Sequence, residues 1–306
     1  MGTGTSPELV SAVSNAGGLG ALGCHGLRPE QVDERTASIR RQTNKPFGRD
    51  FLLFDVREDS FAAALELRPA VMQFAWARPE QDLRAYFERW HQAGCLVTYM
   101  AGNVPEAIRA VKAGADVIIA QGTEGGGHVG WMASMPLTPM VVDCRRAHSG
   151  AGGRWICRRT RPRRRAGARR RRHPAGNALP RHRRVALHQN FRQAIVDSDG
   201  HDTQLSEIPD IASGLVWPGA MIRSRRNRFI QRWAGREWAL RRDQAAALEG
   251  LNSARKSGDI EEGSLATGQD TGLIRDIPPA GEVVTRIAEE AEEILRKKLP
   301  ALVAGN

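Results

Sequence analysis

The sequence predicts an α/β fold made of consecutive parallel β/α units. Short apolar runs that favour strands alternate with helical patterns, at roughly 20 to 25 residues per unit. The run 117–120 is unbroken, apolar and mostly β-branched, which is typical of a strand buried on both faces in a parallel sheet. The 306 residues suffice for one large domain or two smaller ones. The rhythm alone leaves both a closed barrel and an open doubly wound sheet possible.

The elements follow in chain order from caps and apolar runs. Ser6 is a good N-cap with Pro7 at the first helical position, and Gly17 ends this first helix. The predicted strands are 19–23, 47–54, 70–76, 95–100 and 116–121. The predicted helices between them are 29–43, 60–67, 80–93 and 104–113. A helical stretch with a tryptophan pair at 233 and 238 is expected over 229–248, and an amphipathic helix over 283–298.

The net charge of +11 is concentrated in one segment. Residues 144–184 contain 16 arginines and no lysine, aspartate or glutamate, and without these arginines the net charge would be −5. A net charge of this size usually indicates a nucleic-acid or anionic-surface partner, but here the basic character belongs to one segment and not to the whole protein. We therefore divide the chain into a first barrel part (1–143), an arginine-rich segment (144–185), and a helical domain with a C-terminal barrel-packing helix (186–306).

The arginine-rich segment lacks any helical or strand period. Arginine, proline, glycine and alanine are the residues that GC-rich codons produce in an unintended reading frame, so we hypothesise compensating frameshifts near residues 143 and 185. The alternative is a real arginine-rich arm that binds nucleic acid, although Trp155 is its one aromatic residue able to stack on bases.

Other sequence features point to a cytoplasmic protein. Four widely spaced cysteines (Cys24, Cys95, Cys144 and Cys157) form neither a metal-ligand pattern nor a disulfide framework, which suits a reducing compartment. No stretch of 18 apolar residues predicts a membrane span, and no secretory signal is expected. We expect no metal site.

The most informative stretch is the loop after the fifth predicted strand. Gly122 to Gly127 includes four glycines, which can adopt positive φ and let a ligand touch the backbone. His128 follows directly, where an imidazole could accept a proton from a weak carbon acid. The alternative interpretation is a tight strand-to-helix turn followed by an incidental surface histidine.

Several motifs together resemble nitronate monooxygenase, formerly called 2-nitropropane dioxygenase. They are Asn15-Ala-Gly-Gly-Leu-Gly20, Lys45-Pro-Phe-Gly48, Ala120-Gln-Gly-Thr-Glu-Gly-Gly-Gly-His-Val-Gly130, Gly268-Gln-Asp-Thr-Gly-Leu-Ile274 and Pro279-Ala-Gly-Glu282. The similarity covers residues 1–143 and 186–306. The flavin-dependent enoyl-acyl-carrier-protein reductases share the Gln-Gly…Gly-Gly-His motif.

The resemblance implies a TIM-type (β/α)8 barrel with an added helical domain, FMN as cofactor, and oxidation of alkyl nitronates or nitroalkanes with O2. His128 corresponds to the catalytic base. Gln121 and Gly126 match positions that contact FMN, with Gly122 and Gly127 in the same loop. Asp50 stands where the family usually has asparagine beside the flavin, and a solvent-exposed strand end is the alternative for it. Gln269 lies in a segment that resembles one packing near the flavin.

The resemblance also implies an incomplete barrel. The family's first strand would precede Met1, and its phosphate-binding turns fall in the arginine-rich segment. We therefore expect weak FMN binding and aggregation through open sheet edges. The alternatives to a nitronate monooxygenase are a flavin-dependent enoyl reductase and a non-catalytic product of a damaged gene. We expect no specific nucleic-acid partner and no membrane association.

Overall fold

The computed structural model describes residues 5–148 and 187–300, and five strands form one parallel sheet in sequential order. The strands are β1 (Gly20–Gly23), β2 (Phe47–Leu52), β3 (Val71–Ala75), β4 (Leu96–Ala101) and β5 (Val117–Ala120). The helices that precede and connect them are α1 (Pro7–Asn15), α2 (Pro29–Gln42), α3 (Glu58–Glu66), α4 (Leu83–Gln92) and α5 (Val104–Lys112). All five predicted strands and their helices are therefore present. Most of the arginine-rich segment lies outside the described residues.

Local caps fix where several of these helices begin. The Ser6 hydroxyl accepts a hydrogen bond from the Leu9 amide at 3.3 Å, with Pro7 at the first helical position of α1. The Asn103 side chain accepts one from the Glu106 amide at 2.9 Å at the start of α5. Each cap satisfies an amide that the helix leaves unpaired. The capping residues thus set the point at which the chain leaves each strand and turns back over the sheet.

The two faces of the parallel sheet have different partners. On β2, Arg49 and Phe51 face the helices: Arg49 donates to the Ala64 carbonyl and the Thr36 hydroxyl, and Phe51 packs on Phe61. Burial lowers the pKa of Arg49 to about 10. Because strand side chains alternate, Asp50 faces the opposite side, and the register aligns it with Gln73 and Thr98. The helix-free face therefore carries polar residues.

A second, antiparallel sheet carries the histidine of the glycine-rich loop. The chain passes from β5 into β6 (Gly127–Val129) and then α6 (Ser134–His148). After the gap follow α7 (Gln189–Val196), β7 (Thr203–Ser206), α8 (Ile208–Ser213) and β8 (Met221–Arg225). The strand order is β6-β8-β7. His128 therefore sits in a strand that is paired with the C-terminal part of the chain, which differs from a simple strand-to-helix turn.

The predicted helix over 229–248 is wrong in detail. The chain forms three helices there, α9 (Arg228–Trp233), α10 (Glu237–Arg242) and α11 (Gln244–Ser257). Gly235, with a φ of +74°, separates α9 from α10, and Asp243 separates α10 from α11. Trp233 packs on the α8–α11 core, but Trp238 is 68% exposed and lies beside Arg242. The last helix, α12 (Ala280–Glu293), continues into a π-helical turn over Ile294–Lys298. Among the described residues, no helix is both long and apolar enough to cross a membrane.

Two glycines give opposite predictions for stability. A Cβ at Gly20 would collide with the Val10 backbone, whereas one at Gly250, inside α11, would meet nothing within 4 Å. We expect Gly20→Ala to lower the free energy of unfolding by about 1–3 kcal/mol through overpacking. Gly250→Ala should raise it by about 0.5–1 kcal/mol, because alanine favours the helix. Urea denaturation of both variants measures this, and an equal effect from the two would contradict it.

Candidate functional site

Close packing explains why the loop before His128 is rich in glycine. A Cβ at Gly126 would lie 2.6–2.8 Å from backbone atoms of Thr267 and Gly268, and one at Gly122 would overlap the Glu124 carboxylate. Gly127 has a φ of +82° and open space where its Cβ would stand. Gly122 and Gly126 therefore allow protein segments to meet. Gly127 leaves the backbone accessible directly before His128.

Polar contacts fasten this loop on three sides. Arg223 Nε donates to the Thr123 carbonyl at 2.8 Å, and burial lowers the pKa of Arg223. The Glu124 carboxylate accepts from the amide and hydroxyl of Ser134, at the start of α6. The backbone amide of Gln269 donates to the Glu124 carbonyl at 2.9 Å. Gln269 thus reaches the loop through its backbone, while its side chain is exposed.

His128 forms a hydrogen-bonded pair with a residue far away in sequence. Its Nε2 lies 2.8 Å from Oδ1 of Asp210, 82 residues further along the chain. The two side chains are 17% and 9% exposed. A carboxylate accepts only, so this contact places a proton on Nε2 and leaves Nδ1 available to take another. Sequence analysis missed Asp210, since the run Ile208-Pro-Asp reads as an ordinary helix start with proline at the first position.

An aromatic layer covers one face of the imidazole. The Trp217 ring stacks on His128 with a centroid distance of 3.4 Å and an interplanar angle of 11°. Trp217 also contacts Phe54 at 4.6 Å and Trp76 at 6.0 Å. Trp76 has a φ of +57°, which is rare for a bulky residue and typical of functional sites. The layer joins the carboxyl ends of β2 and β3 to the segment before β8.

The remaining predicted site residues lie in different settings. Asp50 is 1% exposed, so the interpretation of it as a solvent-exposed strand end is wrong. It lies on the helix-free face of β2, three strands away from β5. Gln121 directly follows β5, and its Oε1 is buried without a hydrogen-bond partner. The structure therefore groups Gln121, the glycine-rich loop and His128, with Asp50 at a distance along the same sheet.

Two cavities border the C-terminal part. One of about 320 Å³ is lined by Asp210, Leu215, Trp217, Ala220 and six neighbouring residues, and it opens next to the His128–Asp210 pair. A larger one of about 540 Å³ lies between α9 and α11. None of the predicted site residues lines either cavity. The smaller cavity borders the site through Asp210 and Trp217, the two residues that contact His128.

Fold and site together define a TIM-type barrel protein with a histidine–aspartate pair at the carboxyl edge of its parallel sheet. The family model for nitronate monooxygenase matches residues 1–65 and 59–149. Over these residues, just under half of the chain, the sequence matches the nitronate monooxygenase family, as the motifs predicted.

The chain is also similar to individual proteins of known name. The chain is 35% identical over 144 residues to (3aS,4S,5R,7aS)-5-hydroxy-7a-methyl-1-oxo-octahydro-1H-indene-4-carboxyl-CoA dehydrogenase of Mycobacterium tuberculosis, covering 47% of this chain and 39% of that enzyme. It is 25% identical to the "probable nitronate monooxygenase" of Staphylococcus aureus, covering 97% and 94%. The chain thus spans only about two fifths of the former relative, but nearly all of the latter.

Solved structures show the same fold. FabK from Thermotoga maritima superposes with a TM-score of 0.75 at 24% identity, covering 97% of this chain and 93% of FabK. Nitroalkane oxidase from Streptomyces ansochromogenes gives 0.71 at 21% identity, covering 96% and 95%. At these identities the likeness concerns the fold, and it supports the TIM-type architecture.

A second histidine near this edge gives a pH prediction. His25 follows β1, with its ring 6.2 Å from that of Phe54 and Nε2 3.7 Å from Asp55. Burial lowers the pKa of His25 below its ordinary value of 6.5, although Asp55 and then Asp50 oppose the shift. Because the unfolded chain takes up this proton more readily, stability should fall as the pH drops below 6.5.

We expect His25→Gln to lose less stability than the wild-type chain between pH 7.5 and pH 5.5. Urea midpoints at the two pH values, compared between the two proteins, isolate the contribution of His25 from that of other groups. A pH response that is the same in both proteins would contradict the prediction.

Proposed function

We propose that this protein is an FMN-dependent oxidoreductase that oxidises alkyl nitronates or nitroalkanes with O2. The family match and the fold support a flavin oxidoreductase. The observation that carries the proposal is the His128–Asp210 pair, which holds a base with one nitrogen available at the carboxyl edge of the sheet. The small-molecule substrate and O2 are the only partners that it requires, and the free cysteines suit a cytoplasmic setting.

In this proposal His128 takes the acidic α-proton of a nitroalkane on Nδ1. Asp210 keeps the other proton on Nε2, fixes the orientation of the ring, and stabilises the imidazolium that forms. Trp217 covers one face of the imidazole, so the substrate would approach along the ring edge. A preformed nitronate has already lost its proton and would not need this step.

The residues beside His128 fit a flavin. The buried Oε1 of Gln121 can accept from a ring N–H, and Gly127 leaves its backbone open to a planar ligand. We propose that Gln121, Gly122, Gly126 and Gly127 hold the ring system. Asp50 and Gln269 would border it. When bound, FMN supplies the two-electron acceptor that O2 reoxidises.

A second candidate is a reductase acting on an enoyl thioester. The 35% and 33% identity to enzymes named as carboxyl-CoA dehydrogenases favours a thioester substrate. NADH oxidation that depends on an added enoyl thioester would support this candidate. Oxygen consumption that depends on a nitronate would support the first.

Replacing His128 tests its role as the base. We expect His128→Gln to lower kcat/KM for 1-nitropropane by about 10²–10⁴-fold, the usual contribution of a general base. The measurement is O2 consumption by the FMN-reconstituted protein, after its visible spectrum has established how much flavin is bound. The preformed nitronate should be oxidised by the variant at a rate much closer to that of the wild type.

His91→Gln is the matched control, because His91 forms a similar pair with Asp116 at 2.9 Å on the opposite edge of the sheet. This control should leave both activities unchanged. Equal losses from His91→Gln and His128→Gln would show that the effect is structural and would reject the proposed base.

Replacing Asp210 tests the hydrogen bond that orients His128. Replacing it with asparagine keeps the size of the side chain but removes the charge and permits the wrong imidazole tautomer. We expect kcat with 1-nitropropane to fall at least 10-fold, while oxidation of the nitronate is largely retained. If Asp210→Asn leaves the nitroalkane rate unchanged, the hydrogen bond to His128 has no role in proton transfer.

A further inference from the structure

We propose that the indole N–H of Trp217 donates a hydrogen bond to the substrate oxygen that gains negative charge when His128 removes the proton. This inference rests on the proposed function and adds a catalytic residue to the same site. Removing a proton next to a nitro or carbonyl group moves an electron pair onto oxygen, and a preorganised donor aimed at that oxygen lowers the barrier.

The position of Trp217 supports this role. Its ring lies directly over the imidazole of His128, at 3.4 Å between centroids and nearly parallel. Since Nε1 belongs to the ring that stacks on the imidazole, it lies close to the imidazole ring. A substrate that presents its α-carbon to Nδ1 of His128 would therefore bring its nitro group close to the edge of the indole.

The hydrogen-bonding state of Trp217 supports it independently. Its Nε1 is buried and has no hydrogen-bond partner, whereas buried tryptophan N–H groups usually find one. Two other indole nitrogens in the described part of the chain share this state, those of Trp90 and Trp233. Trp90 belongs to the helix-covered core, and Trp233 packs on the α8–α11 core. Of the three, only Trp217 contacts His128.

Arg223 is the obvious rival donor, but it faces the other way. On the antiparallel sheet His128 pairs with Ile222 and Gly127 pairs with Arg223. Because neighbouring residues of a strand point to opposite faces, the Arg223 guanidinium lies on the face away from His128. Its Nε is already bonded to the Thr123 carbonyl. Arg241 and Gln244 line the cavity beside Trp217, but Arg241 is exposed and Gln244 Nε2 donates to the Ile211 carbonyl. Trp217 is the donor that stacks on the base.

The step is balanced without further reagents. The α-carbon–hydrogen bond breaks, the proton moves to His128 Nδ1, and the electron pair of that bond forms the C=N bond of the nitronate. The N=O electrons shift to oxygen, which accepts the hydrogen bond from Trp217. Trp217 keeps its proton throughout.

The test compares Trp217→Phe with His128→Gln in the FMN-reconstituted protein, with O2 consumption as the readout. Loss of one such donor should lower kcat/KM for 1-nitropropane by about 100-fold. If Trp217 binds the anionic oxygen, Trp217→Phe should also raise KM for propyl-1-nitronate about 10-fold or more, while His128→Gln leaves that KM unchanged. If Trp217 merely positions His128, Trp217→Phe would leave the KM for propyl-1-nitronate unchanged, and the proposal would be overturned.

Trp233→Phe is the control, because it also removes a buried unpaired indole N–H. It should leave the kinetic constants for both substrates unchanged.

A binding measurement keeps the result independent of turnover. Sodium nitrate is a planar anion with nitronate-like oxygens, and its titration should shift the indole N–H NMR signal of Trp217, whereas sodium chloride should not. The signal is assigned by its loss in Trp217→Phe or in Trp217→Tyr. No shift with nitrate would overturn the proposal. A shift without any nitronate oxidation by the wild type would support the anion site and reject the proposed function.

Discussion

An imidazole that removes a proton must present one nitrogen to the substrate while the protein holds the other. In this chain the holding group is the Asp210 carboxylate, 2.8 Å from His128 Nε2. Asp210 comes from α8 and His128 from β6, so the tautomer depends on how the antiparallel sheet and α8 pack together. The glycine-rich loop also helps to position His128, because the loop leads directly into β6 and its position determines where that strand begins.

The parallel sheet contributes through the alternation of its faces. On the helix side Phe51 packs in the apolar core and Arg49 is buried with its hydrogen-bond partners, whereas Asp50, Gln73 and Thr98 face the other side. At the carboxyl edge, the aromatic layer of Phe54, Trp76 and Trp217 replaces these polar residues. The imidazole is therefore covered on one face by aromatic rings, which exclude water there and strengthen its charge interaction with Asp210.

Local sequence signals predicted the first half of the fold well. These signals, namely the apolar runs, Ser6 as a cap and Gly17 as a stop, depend only on neighbouring residues. They can therefore be recognised without any knowledge of the tertiary structure. His128 was found for the same reason, since it ends a recognisable loop. The sequence explained only in part why position 126 must be glycine, because the residues that pack against it, Thr267 and Gly268, are distant in sequence. Asp210 and Trp217 were missed as site residues, since nothing beside them indicates that they meet a histidine.

The pairing of β6 with β8 also bears on how such a site is inherited. The family match ends at residue 149, whereas the carboxylate and the indole that touch His128 come from beyond residue 200. The base and its surroundings thus belong to separate stretches of the gene. Exchange or rapid change of the later stretch would alter what the histidine meets while leaving its own motif intact. Proteins that share the motif are then free to diverge in the compounds they accept.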